Sequence, residues 1–170
     1  MSRTDAFDLG ALRLHSGEGR SIPVEVDLGE FVFSGTTYTV SPSPAPATLD
    51  VSRMTHGGYA LRLRFTGTLE GPCMRCLEPA TPSRDIDVRE VDQPGGGEEL
   101  ESPYVVDELV DVSAWAHDAL GLAMPAKVLC RPDCAGLCPE CGANLNEEPD
   151  HAHEAPKDDR WAALDQITFE

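Results

Sequence analysis

Apolar and polar positions alternate most cleanly over residues 59–69, "YALRLRFTGTL". Tyr59, Leu61, Leu63, Phe65 and Leu69 fall on one face; Arg62, Arg64, Thr66 and Thr68 fall on the other. A period of two marks a strand with one buried and one solvated face, which belongs to an antiparallel sheet. The preceding "ATLDVSRM" alternates too, and the "HGG" between the two segments supplies a hairpin turn. "SRDIDVREV" (83–91) predicts a third strand with Ile86 and Val88 inward. "SIPVEVDL" (21–28) predicts another, with Ile22, Val24, Val26 and Leu28 on one side. "FVFSGTTYTV" reads as strand material interrupted at Ser-Gly, and "SPSPAPA" (41–47) as a loop, because each proline fixes φ and removes a donor.

Past Asp111 the period changes. Val112, Trp115, Ala116, Ala119, Leu120 and Ala123 recur at the spacing of one apolar helical stripe, with Asp111 as the cap and Pro125 as the stop. This predicts a helix over about 112–124, with Trp115 as a core anchor. A short final helix is expected from Asp158, burying Trp161 and Leu164. The segment 92–104, "DQPGGGEELESPY", combines consecutive glycines with acids and predicts a flexible, solvated loop. The fold class that follows is α+β: a predominantly antiparallel β body, one main amphipathic helix, and a Cys-rich C-terminal segment. The expected divisions are 1–127 for the body with its helix, 128–155 for the Cys/His-rich segment, and 156–170 for a tail.

Composition narrows the functional classes. A chain of 170 residues with 41% hydrophobic content builds one domain with a real core, with room for a small appendage. No apolar run approaches the ~20 residues that span a bilayer, and "MSRTDAFDLG" has no apolar core of a secretory signal. The expectation is a cytoplasmic protein, where thiols stay reduced and serve metal or redox chemistry rather than disulfides. The net charge is −17, thirteen basic residues against thirty acidic. That balance disfavours a tight grip on nucleic acid or an anionic membrane and favours a protein partner with a basic surface. Arg62, Arg64 and Arg75 are the clustered cations that remain as candidate RNA contacts.

The chemistry is concentrated in six cysteines, in "CMRC" (Cys73, Cys76), "CRPDC" (Cys130, Cys134) and "CPEC" (Cys138, Cys141), followed by "HAH" (His151, His153). Structural zinc takes four such ligands, so eight donors make two complete sets. In a Cys-x-x-Cys knuckle both sulfurs reach one metal, and a Gly after the second Cys permits the turn that aims backbone amides at them. "CPECG" has that glycine at Gly142; "CMRCL" has Leu77 and is the weaker knuckle by this criterion. Three partitions are open: Cys73, Cys76, Cys130 and Cys134 with Cys138, Cys141, His151 and His153 as a second site; one compact site of Cys130, Cys134, Cys138 and Cys141; or a ribbon joining the two Cys-x-x-Cys pairs. His15, His56 and His117 have no paired spacing and read as ordinary surface or helix residues. A thioredoxin-like centre fits poorly, because Pro79 and Pro82 prevent "CMRCLEPATP" from opening a helix. A nucleobase deaminase needs a His-x-Glu upstream of "PCMRC", and none precedes it.

The residues "CMRCLEP" (73–79), "LAMP" (122–125) and "CRPDCAGLCPECGANLN" (130–146) resemble the YceD family, the large ribosomal RNA subunit accumulation proteins. The resemblance covers roughly residues 20–165. It implies a small bacterial or plastid cytosolic protein in large-subunit ribosomal RNA accumulation or processing, with no known enzyme activity and no small-molecule substrate. Family members that lack the later Gly-Leu-Cys-x-x-Cys-Gly segment keep the ligands matching Cys73, Cys76, Cys130 and Cys134, and others end in Cys-x-Cys where this chain has His151-x-His153. Ligands thus vary in sets of four, which implies the two-site partition and one or two zinc ions. A four-thiolate zinc makes the chain still more acidic, so the expected partner is a ribosomal protein or RNA-processing factor, with direct RNA binding not favoured by charge. The alternative is a thiol redox protein using Cys73 and Cys76, with Arg75 helping to hold a thiolate.

Overall fold

The computed structural model describes residues 6–153; the helix expected from Asp158 lies outside them. Two compact units partition the chain, one ending at Cys134 and the next beginning at Ala135. Cys130 and Cys134 therefore group with the body and not with the cysteines that follow them.

The first unit contains β1 (Ala6–Asp8), β2 (Gly19–Val26), β3 (Phe31–Phe33), β4 (Thr36–Ser41), β5 (Ala45–Arg53), β6 (Tyr59–Pro72), β7 (Pro79–Ala80), β8 (Ser83–Asp92), β9 (Val105–Val106), β10 (Leu109–Asp111) and α1 (Val112–Ala123). The larger sheet runs β2-β5-β6-β4-β3, with β8 and β7 also paired to β6. All of its pairings are antiparallel, as the alternating pattern requires.

β6 is the organising strand. Residues 59–65 pair with β5 and residues 59–68 with β8, so its backbone groups are bonded on both sides. Its apolar face is the one the sequence predicts: Tyr59, Leu61, Leu63, Phe65 and Leu69 are all buried. Leu49, Leu63 and Leu69 have no exposed surface; burial of each side chain contributes about 1.5–3 kcal/mol. In β8 Ile86 is buried and Val88 half-buried. In the edge strand β2 Ile22 and Val24 are half-buried and Val26 is buried.

The proline-rich stretch departs from expectation. Only residues 42–44 connect β4 to β5, and Ala45, Pro46 and Ala47 pair with Val26, Glu25 and Val24 of β2. Pro46 is tolerated because pairing of β5 with β6 begins one residue later, at Ala47, so no neighbour there needs its missing N–H. Both Ser41–Pro42 and Ser43–Pro44 peptide bonds are cis.

α1 matches its predicted extent closely. The Asp111 carboxylate accepts from Ala114 N at 2.9 Å, and Met124 is extended before Pro125, as a residue preceding proline prefers. Val112, Trp115, Ala116, Ala119 and Leu120 are buried; Ala123, at the end of the expected stripe, is exposed. Leu120 packs on Gly67 of β6 so closely that a Cβ there would lie 2.8 Å from Leu120 Cδ2. The His117 ring stacks flat on Phe31, with centroids 4.3 Å apart.

Two features were not anticipated from the pattern. A small sheet, β1-β10-β9, stands beside the larger one. The acidic Gly-rich segment contains a 3-10 turn, Glu98–Leu100, and is closed by Gln93 N donating to Leu100 O at 2.6 Å and Ser102 N donating to the buried Asp92 carboxylate at 3.3 Å.

Candidate metal centres

The first centre begins where β6 ends. Gly71 leaves no room for a side chain, because a Cβ would lie 2.3 Å from Cδ1 of the buried Tyr38. The Tyr38 hydroxyl donates to Pro72 O at 2.9 Å, fixing the last residue before Cys73. A tight turn follows: Leu77 N donates to Cys73 O at 3.0 Å and Cys73 N to Glu78 O at 2.7 Å. Met74 N donates to Val128 O at 2.8 Å, and Val128 N to Met74 Sδ at 3.3 Å, which brings the chain after α1 alongside the knuckle. Cys130 and Cys134 are thereby delivered to it. Cys73 Sγ lies 3.8 Å from Cys134 Sγ, and Cys76 Sγ lies 3.5 Å from Cys130 Sγ. A disulfide needs about 2.05 Å. All four sulfurs lie within 4.8 Å of one another and can hold a metal ion.

The second unit repeats this backbone. Gly142 N donates to Cys138 O at 2.9 Å and Cys138 N to Ala143 O at 2.8 Å, the same two bonds in the same order as in the first knuckle. Gly142 has φ +77°, and Leu77 at the matching position has φ +65°. Leu77 takes the same left-handed conformation as Gly142 although it is not a glycine. An L-residue there carries about 1–2 kcal/mol of steric cost. A bridge between Leu137 and Asn144 and a bond from Leu145 N to Gly136 O, 2.9 Å, close the loop. The Asn146 side chain accepts from Ala135 N at 2.7 Å.

His151 and His153 fold back onto this knuckle. His151 Nε2 lies 3.1 Å and His153 Nε2 3.3 Å from Cys141 Sγ, and the two nitrogens are 2.9 Å apart. Their Nδ1 atoms face outward to carboxylates, His151 to Glu148 Oε2 at 3.2 Å and His153 to Glu140 Oε2 at 3.4 Å. Cys138, Cys141, His151 and His153 form a second group that can hold a metal ion. Glu140 and Glu148 were missed in the sequence. The one available signal was the three-residue spacing of Glu148 and His151.

The thiols are electrostatically uneven. Burial pushes Cys73 up, but backbone N–H groups of Arg75, Cys76 and Cys130 outweigh it and hold the thiol at about 6. Burial, followed by the neighbouring sulfurs of Cys76, Cys134 and Cys73, pushes Cys130 up to about 12. Burial also raises Cys76. In the second group the backbone N–H of Cys141, then that of Glu140, brings Cys138 down to about 6. Amides aimed at one sulfur of each knuckle favour a thiolate there.

The three candidate RNA-contacting arginines are not one cluster. Arg62 forms a two-pronged bond to Asp87 at 2.6 and 2.5 Å, and Arg64 meets Asp50 at 2.9 Å. Their charge on the outer sheet face is therefore offset. Arg75 sits in the first knuckle, beyond the end of β6; the eight residue steps from Arg64 to Pro72 alone span about 25 Å of strand.

The fold and its sites define an antiparallel β protein with two four-donor clusters on matching cysteine knuckles. The sequence profile of the family described as large ribosomal RNA subunit accumulation protein YceD matches residues 61–168, and the chain belongs to that family. An uncharacterized protein of Mycobacterium tuberculosis is 42% identical over 109 residues, covering 58% of this chain and 52% of the relative. An uncharacterized protein of Mycobacterium leprae is 44% identical over 61 residues, 36% of this chain and 28% of the relative. A maize protein named as a chloroplastic homolog of the same accumulation protein is 42% identical over 40 residues, 24% of this chain and 14% of the relative. The match spans about half the length, 52%, of the Mycobacterium tuberculosis and Mycobacterium bovis relatives. No solved structure matches it. Among the described residues, no helix is long and apolar enough to cross a membrane.

Proposed function

We propose that this chain is a zinc-stapled, non-catalytic cytoplasmic factor in the accumulation of large-subunit ribosomal RNA, acting mainly through contacts with a ribosomal protein or RNA-processing factor. Family membership supports the RNA role. The observation that carries the zinc reading is the convergence of eight donors into two sets of four. A tetrahedral four-thiolate zinc with bonds of about 2.3 Å has sulfur–sulfur edges of about 3.8 Å. The observed 3.5 and 3.8 Å fit that figure. In the second set the carboxylate pairing of both Nδ1 atoms leaves each Nε2 as the donor, the usual support for metal-bound histidine.

Zinc in such a closed set supplies structural cross-linking and leaves no fourth position for an activated water. The chain's own groups do the rest. Backbone amides stabilise thiolate at Cys73 and Cys138, and the raised Cys130 releases its proton when a divalent cation neutralises the group. A redox role for Cys73 and Cys76 is disfavoured by their burial, since an attacking thiolate needs access. The acidity of the chain favours a basic protein partner over a bare RNA surface.

Elemental analysis of the purified protein tests the metal reading, with two zinc per chain expected and none fatal to it. Thiol titration adds a second readout: the cysteines should react slowly until a chelator is added, whereas an exposed redox pair reacts at once. Depleting the chain from its host cells should lower large-subunit ribosomal RNA relative to small-subunit RNA. An unchanged ratio refutes the ribosomal role.

A further inference from the structure

A cavity of about 310 Å³ lies where the start of β8 meets the chain that follows α1, lined by Arg84, Lys127 and Arg131 together with Pro82, Pro125 and Pro132. Thirteen cations serve the whole molecule against thirty acids, yet this one hollow gathers three of them. No carboxylate is among the described residues that line it. Three arginines of the sheet pair with acids, Arg53 with Glu108, Arg62 with Asp87 and Arg64 with Asp50. At the cavity Arg84 Nη1 donates to Ser83 O at 2.7 Å, and Arg131 Nε has the highly exposed Asp133 at 3.5 Å.

We infer that this cavity seats the sugar–phosphate backbone of single-stranded RNA. The inference rests on the ribosomal RNA reading above for the choice of ligand, and on the cavity for the place. Two guanidinium groups and an ammonium suit phosphate oxygens, by paired and by single bonds respectively. Three prolines give an apolar wall without backbone N–H donors. At those three positions an extended acidic peptide finds no main-chain donor, whereas a ribose needs only van der Waals contact. Among the described residues no aromatic side chain lines the cavity, so none of them stacks on bases or reads sequence. The overall charge of −17 does not forbid this, because screening at physiological salt cuts fields off within about 8 Å. It does keep the binding weak, in the range of about 10⁻⁴ to 10⁻⁶ M typical of non-specific contacts.

Three phosphate contacts predict a slope of about −2 for log affinity against log salt, a loss of roughly 20-fold between 50 and 200 mM. Fluorescence anisotropy of the zinc-loaded full chain with a labelled oligouridylate measures this. The variant R84Q/K127Q/R131Q should bind at least about 10-fold more weakly at low salt with a slope near zero, R84K/K127R/R131K should bind like the parent, and R62Q/R64Q should keep the parental slope. Equal RNA binding by the triple Gln variant overturns the inference. So does an oligoglutamate peptide that competes as well as RNA. A triple Gln variant that loses zinc while retaining RNA affinity overturns it too, because the cations would then serve the neighbouring thiolates of Cys130. Failure of the ribosomal reading is distinct: it appears as an unchanged RNA ratio on depletion of the wild-type chain, whatever the oligonucleotide does.

Discussion

The outward-facing carboxylates at the second cluster permit a sharp perturbation. Glu148 holds His151 Nδ1 at 3.2 Å and Glu140 holds His153 Nδ1 at 3.4 Å. Removing their charge with Glu140→Gln and Glu148→Gln leaves all four donors in place but weakens what fixes tautomer, ring orientation and basicity. Such partners typically contribute 10–100-fold in metal affinity. Here the carboxylates are 60% and 63% exposed, so solvent screens them and the lower end applies. Each single change should cost about 10-fold and the pair about 100-fold. Competition against a chromophoric zinc chelator, read as two successive transfers, measures the effect. The four-thiolate cluster serves as an internal control, since neither glutamate lies in it. An unchanged second transfer in the double variant refutes the assignment of the histidines as ligands. Equal weakening of both transfers shows a general loss of fold instead.

Three further outcomes are expected. Gly71→Ala places a methyl against the Tyr38 ring and should lower stability by about 3 kcal/mol or more in urea unfolding at saturating zinc, while a midpoint within error of the parent contradicts the packing described for Tyr38. Asp92 is raised by burial above its ordinary value, so the folded state holds its proton more tightly; the stability it contributes is fully present below about 3.9 and is lost as pH rises through the folded value. Asp92→Asn keeps an acceptor for Ser102 N, and its urea midpoint should exceed the parent's at pH 7 but not at pH 3; the reverse order would show that the charged form is the stabilised one. Cys138→Ser should cost one equivalent of zinc by elemental analysis and leave the strand signal in circular dichroism intact, and a variant retaining both equivalents removes Cys138 from the ligand set.

The elements readable from the sequence were those where one period runs long enough to repeat. β6 shows its inward face over five alternating apolar positions, and α1 shows its stripe between a capping aspartate and a stopping proline. The Cys-x-x-Cys spacings likewise mark local geometry that four residues define by themselves. The small sheet was hidden because β9 and β10 are two and three residues long, too short for any period. Pro46 was misleading because proline is excluded from a strand only where a neighbour needs its N–H, and the sequence does not say which strands flank it. Leu77 concealed a turn that Gly142 announced, since hydrogen bonds around the knuckle impose the conformation whichever residue stands there. Glu140 and Glu148 were invisible because orienting a histidine depends on where its ring turns, and ring direction is a tertiary fact.

β6 passes without interruption from the middle of the sheet to Cys73. Two of the four donors at the first cluster are thus mounted on a beam braced along both flanks, while Cys130 and Cys134 arrive on irregular chain. Capture of an ion there would freeze chiefly one arm, so the entropic burden of loading falls on the residues after the helix.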